Sequence, residues 1–261
     1  MRALVSIGFC VFLAACAPMR QTAVEPLKTA MDEEAMQAGE LRIAASALAS
    51  GDLGVATQLY SRITATRPEI IAGWLGLGDA LYLAGDLAQA RQAYEAALQR
   101  DPAQTPALLG IARMDVRQRQ FPQAIERYNA VLALQPDHPL ALAGLGVVYD
   151  LSGDAARAQQ VYRQGLKAHP QDPALRSNLG LSLTLSGKPR EAVNVLLDVV
   201  GVPSALPQGR QNLAMAYAMM GREDAAESIL MADMPRMNAQ DNLTFYREVR
   251  QRMPAAARAG K

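Results

Sequence analysis

The chain reads as all-α: a solenoid of six helix–turn–helix repeats closed by a C-terminal capping helix. Three features predict this. Between Ile71 and Gln104, 34 residues place Trp74, Leu77, Gly78 and Leu81 on one face of a 3.6-residue helix. Ala90, Tyr94 and Ala97 do the same on a second helix. Stepping by 34 in both directions then meets the same residue types without an insertion. The slot of Ala90 reads Ala56, Ala90, Ala124, Ala158, Ala192 and Ala226, and that of Gly78 reads Ala44, Gly78, Ala112, Gly146, Gly180 and Ala214. Composition agrees: apolar residues make up 50% but aromatics only 5%, much of the difference being alanine. That suits closely packed helices and argues against a β sandwich.

Each slot has a mechanical reason. Small residues at positions 8 and 20 of a repeat let the two backbones approach, while large residues at 4, 7, 11 and 24 fill the space around them. Position 24 reads Tyr60, Tyr94, Tyr128, Tyr162, Leu196 and Leu230. Gly85-Asp86 breaks the chain between the helices, and Asp101-Pro102 ends the second one. Prolines 68, 102, 136 and 170 keep that place before it slips to Pro203. This pattern resembles the tetratricopeptide repeat. The resemblance covers residues 37–240, about four-fifths of the chain, and implies an elongated unit in which each repeat contacts its neighbours.

Ahead of the array, Met1-Arg2 gives a positive start and Ala3 to Ala15 is almost wholly apolar. The run is shorter than the about 20 residues that span a bilayer, and residues 1–15 have the anatomy of a secretory leader. Leu13-Ala14-Ala15-Cys16 resembles the bacterial lipobox, which implies cleavage before a lipidated Cys16. An uncleaved anchor and an ordinary cleavage site are the other readings. Ala17 stands where an inner-membrane retention signal would usually have aspartate, so by the same resemblance the periplasmic face of the outer membrane is expected. Cys10 would leave with the leader, so Cys16 would be the sole cysteine and no disulfide could form. Residues 16–36 read as the lipidated start and a coil-like tether, reaching about 5–6 Å times the square root of its length. Asp32-Glu33-Glu34 is expected to complement the amino end of the first helix.

Several slots depart from the pattern. Repeat 1 has Glu40 at position 4 and Ala47 at position 11; repeat 3 has Asp115 at position 11, and Arg119 where the other five have glycine. Repeats 5 and 6 carry Arg176 and Arg210 at position 4. These put local packing in question, not the architecture. Residues 241–261 offer a capping helix over 241–252, with Leu243, Tyr246 and Val249 on one face, and an alanine-rich tail.

No enzyme chemistry, cofactor or metal is expected. His138 and His169 are the only histidines and sit in inter-repeat loops without further ligands at tight spacing, so they read as solvated. No Gly-rich phosphate loop or Gly-x-Ser-x-Gly motif occurs. Lys plus Arg is 26 against 25 for Asp plus Glu, which gives no electrostatic case for nucleic acid.

Function is therefore expected in the groove that this family lines with helix A positions 2, 5, 6, 9, 12 and 13. Candidate partner-binding residues are Leu75, Asp79, Tyr82, Leu109, Arg113, Val147, Asn178, Leu181, Asn212 and Met215. Lysine is missing from positions 2 and 5, so the carboxylate clamp of chaperone-binding relatives is not reproduced. The groove is apolar with isolated charges, suited to an amphipathic helix or extended segment of a protein partner. Asn178 and Asn212 fall where related arrays hydrogen-bond a ligand's backbone, although asparagine is also a common consensus choice there. Asp79 and Arg113 occupy one slot in adjacent repeats and are expected to pair with each other.

Lipobox, tether and six repeats together resemble the TadD-type lipoproteins of Flp/Tad pilus assembly, and Asn242-Leu243-Thr244-Phe245-Tyr246-Arg247 resembles that family's ending. The resemblance implies an outer-membrane scaffold for a secretin or other pilus component. A PilF-type pilotin of type IV pili and a periplasmic adaptor regulating cell-wall enzymes are the alternatives.

Overall fold

The computed structural model describes residues 25–200 and 207–252. The leader, Cys16, Pro203 and the tail 253–261 lie outside the described residues. Thirteen helices and no strand are found among the described residues. Repeat 1 is α1 (Glu25–Ala49) and α2 (Leu53–Thr66), repeat 2 is α3 (Ile71–Ala84) and α4 (Leu87–Arg100), and repeat 3 is α5 (Thr105–Arg117) and α6 (Phe121–Leu134). Repeat 4 follows as α7 (Pro139–Leu151) and α8 (Ala155–Ala168), repeat 5 as α9 (Pro173–Leu185) and α10 (Pro189–Val200), and repeat 6 as α11 (Pro207–Met219) and α12 (Glu223–Met231). The cap is α13 (Arg236–Arg252).

Each helix packs on its chain neighbours, and each repeat's first helix also packs on the first helix of the next: α1 on α3, and so on to α11 on α13. First helices therefore form the crowded inner wall, and second helices stand apart on the outer one. The cap takes the place of a seventh first helix, with Leu243 and Tyr246 buried against Met215, Met219 and Leu230. The six alanines at position 20 are all fully buried, at 0% exposure, which verifies the register in every repeat.

The turns repeat as well. Gly51, Gly85, Gly153, Gly187 and Gly221 adopt φ between 80° and 88°, the left-handed conformation that ends a helix. The following aspartates 52, 86 and 154 cap the second helix by accepting from Val55, Gln89 and Arg157 backbone N–H groups, each cap being worth about 1 kcal/mol. In repeat 3 Arg119 takes the glycine's place at φ 57° and lies 5.5 Å from the Phe121 ring.

Two sequence expectations need correction. Residues 25–36 are not coil: α1 begins at Glu25, with Pro26 in the first turn and good helix formers after it. The link from Glu25 to the array is a rod of about 18 Å at about 1.5 Å per residue. Asp32, Glu33 and Glu34 consequently fall inside α1 and not at its amino end. The cap also starts at Arg236, not 241, because Pro235 opens the helix and residues from Ala239 onward pack inward.

The departures at position 4 turn out to be latches. Trp74 donates Nε1–H to the Pro68 carbonyl at 2.8 Å and lies 4.9 Å from Arg100. Arg176 reproduces the same reach, Nε–H to the Pro170 carbonyl at 2.7 Å, and pairs with Asp198 at 3.3 Å. Glu40 pairs with Arg62 and Arg67, and Arg210 with Asp233. In repeats 1, 2, 5 and 6, position 4 ties the first helix to the end of the second, whereas Leu108 and Leu142 of repeats 3 and 4 pack into the core. Asp115 is resolved too: although fully buried, its two oxygens each accept from a guanidinium, Arg91 and Arg127, both at 2.7 Å. A buried charge is tolerated where it is paired and hydrogen-bonded in this way.

Candidate functional site

The inner wall of α5, α7 and α9 carries two adjoining cavities. The first, about 550 Å³, is lined by Leu109, Arg113, Tyr128, His138, Leu140 and Val147 among others. The second, about 300 Å³, is lined by Val147, Asp150, Leu151, Tyr162, Leu181 and Leu185. Asn178 borders both. The walls are mainly apolar, and Leu140 at 61%, Leu151 at 48% and Leu185 at 54% exposure leave apolar surface toward solvent.

Bare backbone shapes this wall. A Cβ on Gly144 would stand 2.2 Å from the Tyr128 ring, and one on Gly110 would stand 2.5 Å from the Tyr94 ring. Only glycine lets the ring of one repeat lie against the first helix of the next. Tyr94 donates to Asp79 Oδ1 at 2.6 Å, and Asp79 is also 3.6 Å from Arg113. Burial first, then the bond to Asp79, holds the Tyr94 phenol well above its ordinary pKa. Tyr128 has no acceptor among the described residues, and burial pushes its phenol up to about 12.

The sequence-derived groove residues divide into three groups. Asp79, Leu109, Arg113, Val147, Asn178 and Leu181 all line the two cavities. The expected Asp79–Arg113 pair is formed. Leu75 and Tyr82 sit at the edge: Leu75 packs on the core that runs through repeats 1 to 3, and Tyr82 lies 4.9 Å from Arg113 and 5.6 Å from Arg117. Asn212 and Met215 need correction. Asn212 donates Nδ2–H to the Ser177 carbonyl at 3.2 Å, so its amide ties repeat 6 to repeat 5. Met215 is only 7% exposed and belongs to the core beneath the cap. A repeat register reveals neither the cap that closes over Met215 nor the carbonyl of the neighbouring repeat that engages Asn212. Asn178, by contrast, has no hydrogen-bond partner among the described residues.

Sequence reasoning missed His138, Tyr128, Leu140, Asp150 and Leu185. His138 is not a loose loop residue: it is half-buried, caps α7 through Nδ1 at 3.4 Å from the Ala141 N–H, and lines the larger cavity. The Pro139 that follows, opening the helix, was the available signal. His169 is likewise engaged, 2.7 Å from the Asp137 carbonyl. Among the described residues no group of three His, Cys, Asp or Glu could hold a metal ion, and no helix is long and apolar enough to cross a membrane. Cys16 lies outside the described residues.

Stacked helical hairpins with an open inner groove define an α-solenoid of the class that binds polypeptides. The tetratricopeptide repeat profile matches residues 41–105, 109–173 and 152–204, more than half of the chain. The chain belongs to the tetratricopeptide repeat family. No curated protein matches it. Its fold is similar to PilF of Pseudomonas aeruginosa at 13% identity and a TM-score of 0.68, covering 82% of this chain and 98% of PilF. It is equally similar to PilW, a widely conserved type IV pilus biogenesis factor, at 17% identity and a TM-score of 0.69, covering 80% and 97%. YrrB, a repeat protein with an unusual peptide-binding site, matches at 16% identity and a TM-score of 0.53, covering 75% and 100%.

Proposed function

We propose that this protein is a lipoprotein held through Cys16 at the periplasmic face of the outer membrane, where its groove binds a component of Flp/Tad pilus assembly, a secretin by preference. The observation that carries the binding role is the open apolar groove with an uncommitted carboxamide at its centre, Asn178. Pilus assembly is supported by the TadD-like lipobox and ending and by the shape shared with PilW. Near-complete coverage of PilF favours a pilotin of type IV pili as the second reading.

Cys16→Ser tests the anchor. The variant is expected to leave the outer-membrane fraction while its repeats still fold, and secretin multimers and surface pili should be lost with it. Normal multimers and piliation in that strain would overturn the pilus role and favour the cell-wall adaptor. Asn178→Ala tests the groove. Loss of one hydrogen bond, about 0.5–1.5 kcal/mol, should weaken capture of the client a few-fold at unchanged helicity. Equal capture would move the interaction off the inner wall.

A further inference from the structure

The groove holds two carboxylates, and the chain treats them differently. Asp79 is answered by Arg113 at 3.6 Å. Asp150 has no ion pair among the described residues. Its Oδ1 accepts from the Ser182 hydroxyl at 2.7 Å and its Oδ2 from the Tyr162 phenol at 3.0 Å, both neutral donors. The nearby cations are engaged elsewhere: Lys188 Nζ donates to Gln159 Oε1 at 3.4 Å, and Arg157 pairs with Asp154. Val147, Leu151, Leu181 and Leu185 surround the carboxylate in the smaller cavity of about 300 Å³, at the lower end of the range for ligand pockets and suited to one long side chain.

A half-buried carboxylate among apolar walls, held only by neutral donors, favours an incoming cation. Burial already pushes the Asp150 carboxyl above its usual range, against the pull of Ser182 and Tyr162. Lysine and arginine match such a site, because their apolar stems cover hydrophobic surface while their heads seek charge.

We infer that the pocket between the fourth and fifth repeats selects a lysine or arginine side chain set among apolar residues of the partner's docking segment, Asp150 taking its charge. This rests on the groove being the binding surface, as proposed above. The opposite polarity, an acidic segment, is disfavoured here because the nearest groove cation, Arg113, already faces Asp79.

The test uses the purified full chain and four synthetic twelve-residue peptides. They are identical, leucine-flanked sequences differing only in a central Lys, Arg, Met or Glu, and their affinities are read by fluorescence anisotropy. The Lys and Arg peptides should bind about tenfold or more tightly than the Met peptide, the size expected of a charge pair away from bulk water, and the Glu peptide should bind most weakly. Asp150→Asn, of the same shape, should erase the Lys-over-Met preference while keeping Met-peptide binding. Leu185→Lys, at an exposed rim position, should erase it by supplying a cation from within the chain, and it carries little folding risk. Equal affinity for Lys and Met peptides, a preference that survives both variants, or no binding of any peptide would each overturn the inference. Client capture by Asn178→Ala judges the groove separately, since it does not depend on these peptides.

Discussion

At the joints between repeats 1 and 4, and at the joint between repeats 4 and 5, the same slots carry different chemistry. Tyr60, Tyr94 and Tyr128 each lay a ring on the glycine at position 6 of the following repeat: Gly76, Gly110 and Gly144. Those joints are closed by aromatic surface against bare backbone. At the fourth joint Asn178 replaces the glycine, and Tyr162 turns its hydroxyl to Asp150. Further on, leucine replaces tyrosine, with Leu196 packed on Gly180. A repeat thus devotes position 6 either to packing or to the groove. Asn178 faces the groove, whereas Asn212, in the same slot of repeat 6, again serves packing through the Ser177 carbonyl.

The largest expected effect tests how repeat 3 belongs to the closed group despite its buried acid. Asp115→Ala leaves Arg91 and Arg127 facing a fully buried void. Breaking an enclosed ion pair costs about 3–5 kcal/mol, but these guanidiniums are 23% and 28% exposed and can rehydrate, so about 2–3 kcal/mol is expected in denaturant unfolding. A change below the error of the measurement would mean that the triad is incidental. Next comes Gly110→Ala, which forces a methyl against the Tyr94 ring and should cost about 1–3 kcal/mol. Asn178→Gly offers the converse: no overpacking, and weaker groove binding. If both variants melted alike, the division between joints would fail.

A smaller effect is expected at high pH. The Tyr128 phenol is raised to about 12 in the folded chain, above the ordinary 10.0 of the unfolded one. Its contribution is therefore fully present below pH 10 and is lost as the pH rises toward 12. Tyr128→Phe should flatten that part of an alkaline unfolding curve; an unchanged slope would show that the ring is wetter than its burial implies. Smallest is Arg113→Ala. Arg113 and Asp79 are 49% and 44% exposed, and such pairs contribute about 0–1 kcal/mol. Its melting curve should barely move.

The architecture was legible because it is written in spacing. Ala56 through Ala226 recur every 34 residues, and burial of all six follows from that count alone. Asp115 and Arg176 looked like faults in the same count, since the sequence does not display their partners: Arg91 lies 24 residues from Asp115, and Asp198 lies 22 residues from Arg176. The groove was legible only in part. Val147, Asn178 and Leu181 follow from helix register, whereas Met215 and Asn212 were misplaced because α13 and Ser177 engage them from outside the repeat rule. Asp150 escaped notice because its significance is a missing counter-charge, a property of three dimensions.

Contacts that run only between neighbours also give the array a mechanical character. Nothing in the described residues braces the first repeat against the last, so the inner wall behaves as a spring whose compliance is the sum of its joints. A few degrees of rotation at each joint accumulate into a wider or narrower bend. Three of the joints seat an aromatic ring on bare backbone, the joint at Asn178 offers no glycine seat, and at the next one a leucine stands in the tyrosine's place. A client segment of imperfect fit can thus be met by small rotations shared along the wall.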